Sequence, residues 1–139
     1  MLKFIGDGVL AIFPFESEKR PPKSMCFAAL SAAREAFARL DQKNQLMPET
    51  DGLPLSFGVA LTVGKVVYGN VGTEKRLDFT ATGPAVALVS RCEDLTKTLD
   101  ADVIATADFV ELCGDNAVPL GDHEIRGFAE PVSLFSYCR

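Results

Sequence analysis

A carboxylate and an ammonium group stand four residues apart near the start of the chain, at Asp7 and Lys3. They lie in a stretch where two apolar runs are joined by Gly6-Asp7-Gly8. An Asp-Gly pair between apolar runs supplies the positive φ angles of a two-residue hairpin turn. The stretch therefore predicts a hairpin with Asp7 at its tip, where the carboxylate either makes the turn or serves chemistry.

The composition predicts one domain with a substantial core. The chain has 139 residues, of which 47% are hydrophobic and 24% charged. A net charge of -5 argues against general nucleic-acid binding, although a few local cations would suffice for a small anionic ligand. No apolar run approaches the length of a membrane span, and no signal peptide is visible. We expect a cytoplasmic location, with the chain as a soluble protein or the soluble domain of a larger one.

The four cysteines form no CxxC pair, and His123 is the one histidine. This argues against a zinc site. Reduced, mostly buried thiols are favoured over disulfides, which remain the alternative. The cysteines are Cys26, Cys92, Cys113 and Cys138.

The pattern of apolar residues predicts strands and helices in the order ββαβββαβαββ. Ser24 is a candidate N-cap for the first helix, and Pro84 opens the second helix in the favoured first-turn position. The second helix carries an apolar stripe of Leu88, Cys92, Leu95 and Leu99. The predicted strands are 2–5, 9–13, 55–63, 65–71, 77–82, 103–105, 117–126 and 132–137, and the helices are 24–45, one that opens at Pro84, and 107–112.

Two of these strands carry further information. Strand 55–63 alternates large and small residues, so its small face would let a ligand, a helix or a second chain come close. Strand 9–13 is continuously apolar, which is typical of a strand covered on both faces. We therefore expect a strand and a helix to precede the hairpin, or a partner to supply them. The fold class is α/β or α+β, with helices packed on a sheet.

Three segments in this order resemble the catalytic domain of class III adenylate and guanylate cyclases. They read KFIGDGVLAIF, GVALTVGKVVYGNVGTEKRLDFTATGPAVALVSR and IRGFAEPVSLFSY. The resemblance implies a ferredoxin-like nucleotide cyclase fold with a mostly antiparallel central sheet. It also implies one domain over residues 1–139 that lacks the family's first strand-helix unit. A head-to-tail homodimer with composite active sites at its interface would follow.

The same resemblance implies a metal-dependent reaction. The 3′-hydroxyl of the nucleotide attacks the α-phosphorus and pyrophosphate leaves, commonly with two divalent ions, here Mg²⁺ or Mn²⁺. Asp7 matches the family's second metal-binding aspartate, and Gly6 and Gly8 flank it at the substrate. The first aspartate belongs to an "F.D" segment that this chain does not contain. The chain as given thus lacks half of the expected metal site.

Other matches concern the nucleotide. Lys3 and Thr80 match the base-reading pair, and a lysine suits adenine N1, which accepts a hydrogen bond. ATP is therefore favoured over GTP as substrate. Arg91 matches the arginine that stabilises the pentacoordinate phosphate, although an ion pair with Glu93 or Asp94 is the alternative. Lys75 and Arg76 lie where the family often has basic residues near the triphosphate. A charged loop in solvent explains these two residues equally well.

One departure from the family pattern bears on activity. Ala87 stands where the pattern has asparagine, four residues before Arg91 on one helix face. Loss of a preorganised transition-state donor raises the barrier by about 3 kcal/mol, a rate loss of about a hundredfold. Three hypotheses follow: an active cyclase domain, a degenerate cyclase-like domain that binds nucleotide or dimerises, and an interaction module without a nucleotide site.

Overall fold

The computed structural model describes residues 2–15, 19–46, 54–71 and 78–139, without the side chains of residues 2, 3, 5, 68, 70, 71 and 78–80. The order of its elements is the predicted ββαβββαβαββ. None of the described helices is long and apolar enough to cross a membrane. The elements are β1 (Leu2–Ile5), β2 (Gly8–Ala11), α1 (Pro22–Leu46), β3 (Val59–Leu61), β4 (Val67–Val71), β5 (Asp78–Thr82), α2 (Pro84–Thr98), β6 (Val103–Thr106), α3 (Ala107–Cys113), β7 (Val118–His123) and β8 (Val132–Tyr137).

A four-stranded sheet in the order β3-β6-β8-β7 forms the centre of the fold. The β3–β6 pair is parallel, whereas β6–β8 and β7–β8 are antiparallel, so the predicted mostly antiparallel sheet is confirmed. All four residues of β6 are buried. Val103 and Ala105 pack with α1 and α3 on one face, and Ile104 packs with α2 on the other. Successive side chains of a strand point to opposite faces, so this strand joins both halves of the core.

Strand β3 is shorter than the predicted strand 55–63. Its neighbour β6 begins at Val103, which lies opposite Val59. Before that point the backbone of Leu55 bonds instead to the side-chain amide of Asn44, at 2.8 and 2.9 Å. The Phe57 ring stacks on Phe37, with the ring centroids 4.6 Å apart. These contacts with α1 replace the strand pairing that the alternation predicted.

The small-residue face of this segment is covered by helix α2. A Cβ atom added to Gly58 would lie 2.6 Å from Thr96 Cβ and would overlap Thr96 Oγ1. One added to Gly64 would lie 2.8 Å from the Cβ of Ala85. The alternation allowed a ligand, a helix or a second chain on this face, and in the structure helix α2 lies there. The close approach requires glycine at position 58.

We expect Gly58→Ala to destabilise the fold by about 1–3 kcal/mol, because overpacking a tight contact forces neighbouring atoms to move. Urea unfolding, followed by the midpoint concentration, measures this loss. Gly69→Ala is the matched control, since a Cβ at Gly69 has no neighbour within 4 Å among the described atoms. Equal midpoints for the two variants would contradict the packing described for Gly58.

The start of helix α2 was predicted correctly, whereas the predicted N-cap of helix α1 was not. Helix α1 begins at Pro22, and the Met25 N–H donates to the carbonyl of Pro21 at 3.2 Å. Ser24 therefore lies inside the first turn, and its predicted N-cap role is wrong, because proline at the first helical position already fixes the start. Helix α2 begins at Pro84, as predicted.

Strands β1 and β2 form a two-stranded antiparallel sheet, as predicted, but with a different turn. Ile5 lies opposite Gly8, so the two-residue loop is Gly6-Asp7. Gly6 has a φ of 59°, and Asp100 is the one non-glycine residue with a positive φ in the described ranges. The predicted Asp-Gly turn is thus wrong. Glycine at the first loop position is typical of a type II′ turn.

The apolar strand after this turn is not covered. Val9 is 58% exposed and lies opposite Phe4, which is 80% exposed. Within the described residues, β1 and β2 pack extensively only against each other. The described elements therefore do not supply the cover expected for this strand, and its supply by a preceding segment or by a partner stays a prediction.

All four cysteines are free, and Cys138 is the exposed one. The expectation of reduced, mostly buried thiols is therefore confirmed. Burial raises the pKa of Cys26 to about 11, with a smaller contribution from nearby Cys113, and burial raises the pKa of Cys92 to about 11 as well. These two thiols are therefore protonated and unreactive at neutral pH. Among the described residues, no group of three or more metal-binding side chains occurs, so nothing there contradicts the exclusion of a zinc site.

Candidate functional site

Asp7 is an exposed carboxylate at the tip of the β1–β2 hairpin, between the exposed residues Gly6 and Gly8. Its side chain takes part in no hydrogen bond or ion pair with the described residues. The backbone conformation of Gly6 makes the turn, so the Asp7 carboxylate is not needed to hold it. The carboxylate is therefore available to a ligand.

Lys3 and Thr80 lie on two different hairpins. Lys3 is in β1 opposite Leu10, and Thr80 is in β5 opposite Gly69. Both backbones are described, whereas their side chains are not. The remaining predicted basic pair, Lys75 and Arg76, lies outside the described residues, so the structure gives no position for the predicted triphosphate contacts.

Arg91 lies on α2, with its side chain half-buried. Ala87 is exposed one turn earlier, and residues four apart on a helix are neighbours on one face. None of the ion pairs between described residues involves Arg91, so the alternative partners Glu93 and Asp94 do not engage it. Its guanidinium therefore keeps its hydrogen-bond donors for a ligand.

The structure brings some of these residues together and keeps others apart. Strand β5, which carries Thr80, packs against α2, which carries Arg91. The β1–β2 hairpin, which carries Lys3 and Asp7, makes no extensive contact with either element in the described part of the chain. The candidate residues therefore fall into two groups, one with Thr80 and Arg91 and the other with Lys3 and Asp7.

A divalent cation finds one candidate ligand here. In the ranges that the structure describes, Asp7 belongs to no group of three or more metal-binding side chains. Mg²⁺ commonly takes one or two carboxylates and completes its shell with water and substrate phosphates. Asp7 therefore fits a single ligand to a phosphate-bound cation, and it does not fit a site that holds two ions by itself.

Two concave surfaces were not foreseen from the sequence. One, of about 500 Å³, is lined by residues 124–131, the loop between β7 and β8. The other, of about 200 Å³, lies between the end of β3, the start of α2 and Phe128 of that loop. Gly127 has a φ of 92° and makes a turn in this loop. This glycine was the one feature of the sequence that could have indicated the concave surface.

Comparison with curated proteins gives relatives that are larger than this chain. An adenylate cyclase of Dictyostelium discoideum, specific to terminal differentiation, is 32% identical over 139 residues, 96% of this chain and 6% of that protein. An adenylate cyclase of Anabaena cylindrica is 32% identical over 112 residues, 78% of this chain and 21% of that protein. The chain thus spans less than a quarter of either relative. No family model matches it.

Comparison with solved structures gives similar folds over nearly the whole chain. A bacterial light-regulated adenylyl cyclase matches with a TM-score of 0.78 and 28% identity, over 97% of this chain and 38% of that one. A guanylyl cyclase matches with a TM-score of 0.79 and 26% identity, over 98% of this chain and 68% of that one. The described elements therefore have the arrangement that both of these solved proteins share.

Proposed function

The chain is a class III nucleotide cyclase domain in sequence and fold, and from that premise we propose that the protein converts ATP into cyclic AMP and pyrophosphate. The observation that carries the proposal is the distribution of four matched residues. Lys3 and Asp7 lie on one hairpin, and Thr80 and Arg91 lie on a strand and a helix in mutual contact. This set supplies a base reader, a carboxylate and a phosphate-binding cation.

The reaction joins the ribose 3′-oxygen to the α-phosphorus and breaks the bond from that phosphorus to the pyrophosphate oxygen, and the hydroxyl proton passes to solvent. Arg91 would stabilise the negative charge on the phosphate oxygens, because its planar guanidinium is always charged and forks onto two of them. Lys3 would donate to adenine N1, and Thr80 would accept from the adenine amino group.

Asp7 would contribute one carboxylate oxygen to a divalent cation, Mg²⁺ or Mn²⁺. Such an ion, when bound, neutralises phosphate charge and lowers the pKa of a coordinated hydroxyl. Because Asp7 belongs to no metal-binding group of three or more described side chains, we propose that a second carboxylate comes from outside the described residues.

We further propose that the active site is shared between two copies of the protein. The Asp7 hairpin and the Arg91 helix make no extensive contact in the described part of one copy. A head-to-tail homodimer would place Asp7 of one copy at the site where Lys3, Thr80 and Arg91 of the other copy bind the nucleotide. Each dimer would then hold two equivalent sites.

A second function is favoured by Ala87. A methyl group there cannot donate a hydrogen bond to the ribose or to the α-phosphate. The alternative is therefore a cyclase-like domain that binds nucleotide and dimerises with little turnover. Tight ATP binding without cyclic AMP formation would support this alternative against the first proposal.

Mixing two inactive variants tests the proposed function. Asp7→Ala and Arg91→Ala are prepared separately in the full natural protein, and each is expected to form little cyclic AMP. When they are combined, mixed dimers regain one complete site, and activity returns. A mixture that stays inactive beside an active wild type would contradict the shared site, whereas an inactive wild type would contradict the cyclase proposal.

Base selectivity gives a separate prediction. Lys3→Glu replaces a donor by an acceptor, which suits the N1 hydrogen of guanine and not adenine N1. A hydrogen bond to a charged group contributes about 1.5–3 kcal/mol, so we expect kcat/KM for ATP to fall by about tenfold or more relative to that for GTP. Steady-state assays with both nucleotides measure the ratio, and an unchanged ratio would remove Lys3 from base recognition.

A further inference from the structure

The cleft of about 200 Å³ combines an apolar wall with a single charge. Its lining comes from three separate elements: the connection from β3 to β4, the first two turns of α2, and the loop between β7 and β8. The one charged residue of the lining is Lys65, and no carboxylate is part of it. The apolar side chains of the lining are Val63, Pro84, Ala85, Leu88 and Phe128.

Lys65 is exposed and has no ion pair or hydrogen bond to its ammonium group among the described residues. The chain has a net charge of -5, so a shortage of carboxylates in the sequence does not explain why Lys65 is unpaired. An unpaired ammonium group beside an apolar surface favours a ligand that has both an anionic group and an apolar part. Pockets of this kind fix a ligand by one polar contact and retain it by burial of its apolar surface.

The size of the cleft limits that ligand. An apolar cavity of about 150 Å³ holds one benzene molecule. A cleft of about 200 Å³ therefore has room for one ring and a carboxylate. Gly64 and Ala85 meet within the lining, where a Cβ atom added to Gly64 would lie 2.8 Å from the Cβ of Ala85.

We propose that this cleft binds a small aromatic monocarboxylate of the size of benzoate. The carboxylate pairs with Lys65, and the ring packs against Leu88 and Phe128. The ligand thereby connects α2 to the loop between β7 and β8. Binding here involves none of Lys3, Asp7, Thr80 or Arg91, so it does not depend on nucleotide turnover.

Titration of the ¹⁵N-labelled full natural protein with sodium benzoate tests the proposal by amide chemical shifts. Saturable shifts are expected at Lys65, Ala85 and Phe128, with a Kd of about 1–10 mM for a ligand of nine heavy atoms. Benzamide, which has the same shape without the charge, is expected to bind at least tenfold more weakly. Equal binding of benzamide, or benzoate shifts that are linear or lie elsewhere, would overturn the proposal.

Variants of the lining separate charge from shape. Lys65→Met is expected to weaken benzoate binding at least tenfold, whereas Lys65→Arg keeps it within threefold. Phe128→Ala, which removes the wall on the side of the loop, is expected to weaken binding at least threefold. Lys65 is exposed, so unchanged shifts outside the cleft would show that the fold of its variants is intact. Wild-type affinity in Lys65→Met would overturn the proposal.

Discussion

Replacement of Asp7 by alanine is expected to lower cyclic AMP formation by about a hundredfold or more. Loss of a metal ligand removes stabilisation of several kcal/mol from a phosphate-transfer transition state. The stability of the fold is expected to change little, because the Asp7 carboxylate is exposed and bonds to no described residue. The measurement is kcat/KM for ATP in the full natural protein with Mn²⁺, beside a thermal unfolding curve.

Glu111→Ala is the matched control for this variant. Glu111 is an exposed carboxylate on α3 without an ion pair to any described residue, so its removal changes the net charge equally. Asp7→Asn adds a second comparison, because asparagine keeps the shape and is tolerated in turns. Activity of Asp7→Ala within threefold of wild type would contradict a metal-binding role for the carboxylate.

Replacement of Ala87 by asparagine is expected to raise kcat by about a hundredfold, or about 3 kcal/mol, if the wild-type enzyme lacks a transition-state donor at this position. The added amide would lie one helical turn before Arg91, on the same face of α2. Ala87 is exposed, so the side chain has room. Asparagine has a lower helix propensity than alanine, a cost of about 0.7 kcal/mol. Single-turnover kinetics at saturating ATP measure the change.

Ala87→Asp is the control, because aspartate is nearly isosteric with asparagine but donates no hydrogen bond when ionised. It is expected to give no increase. A large gain with asparagine alone would place the departure from the family pattern at this one residue. No gain in an otherwise active enzyme would mean that the reaction uses a different donor, and the transition-state role of position 87 would then be abandoned.

Much of the fold was predictable from local patterns. The spacing of apolar residues predicted the order of all described elements, and Pro84 correctly marked the start of α2. Alternation of large and small residues correctly indicated a close approach at Gly58. These features follow from residues near one another in the chain, where periodicity and backbone preferences carry the information.

The features that were missed depend on contacts between distant residues. Strand β3 is short because Asn44, eleven residues earlier, binds the backbone of Leu55. Thr62 and Thr106, 44 residues apart, share a hydrogen bond of 2.9 Å between their hydroxyl oxygens at the ends of β3 and β6, and no pattern in the sequence pairs them.

The candidate site shows the same division. The identities of Lys3, Asp7, Thr80 and Arg91 could be selected from the sequence by resemblance, whereas their distribution over separate elements could not. Whether the β1–β2 and β4–β5 hairpins both pack on α2 depends on side-chain contacts between distant residues, which local sequence patterns do not predict. The cleft at Lys65 was missed for the same reason, because its walls come from three distant parts of the chain.

The stoichiometry of products from ATP tests the central claim most directly. The full natural protein is incubated with ATP labelled at the α-phosphate and with Mn²⁺, and cyclic AMP and pyrophosphate are quantified together. A cyclase forms the two in equal amounts, with no ADP or inorganic phosphate as primary products, and that is the result we expect. Release of ADP and phosphate, or recovery of unchanged ATP at high enzyme concentration, would contradict the proposed reaction.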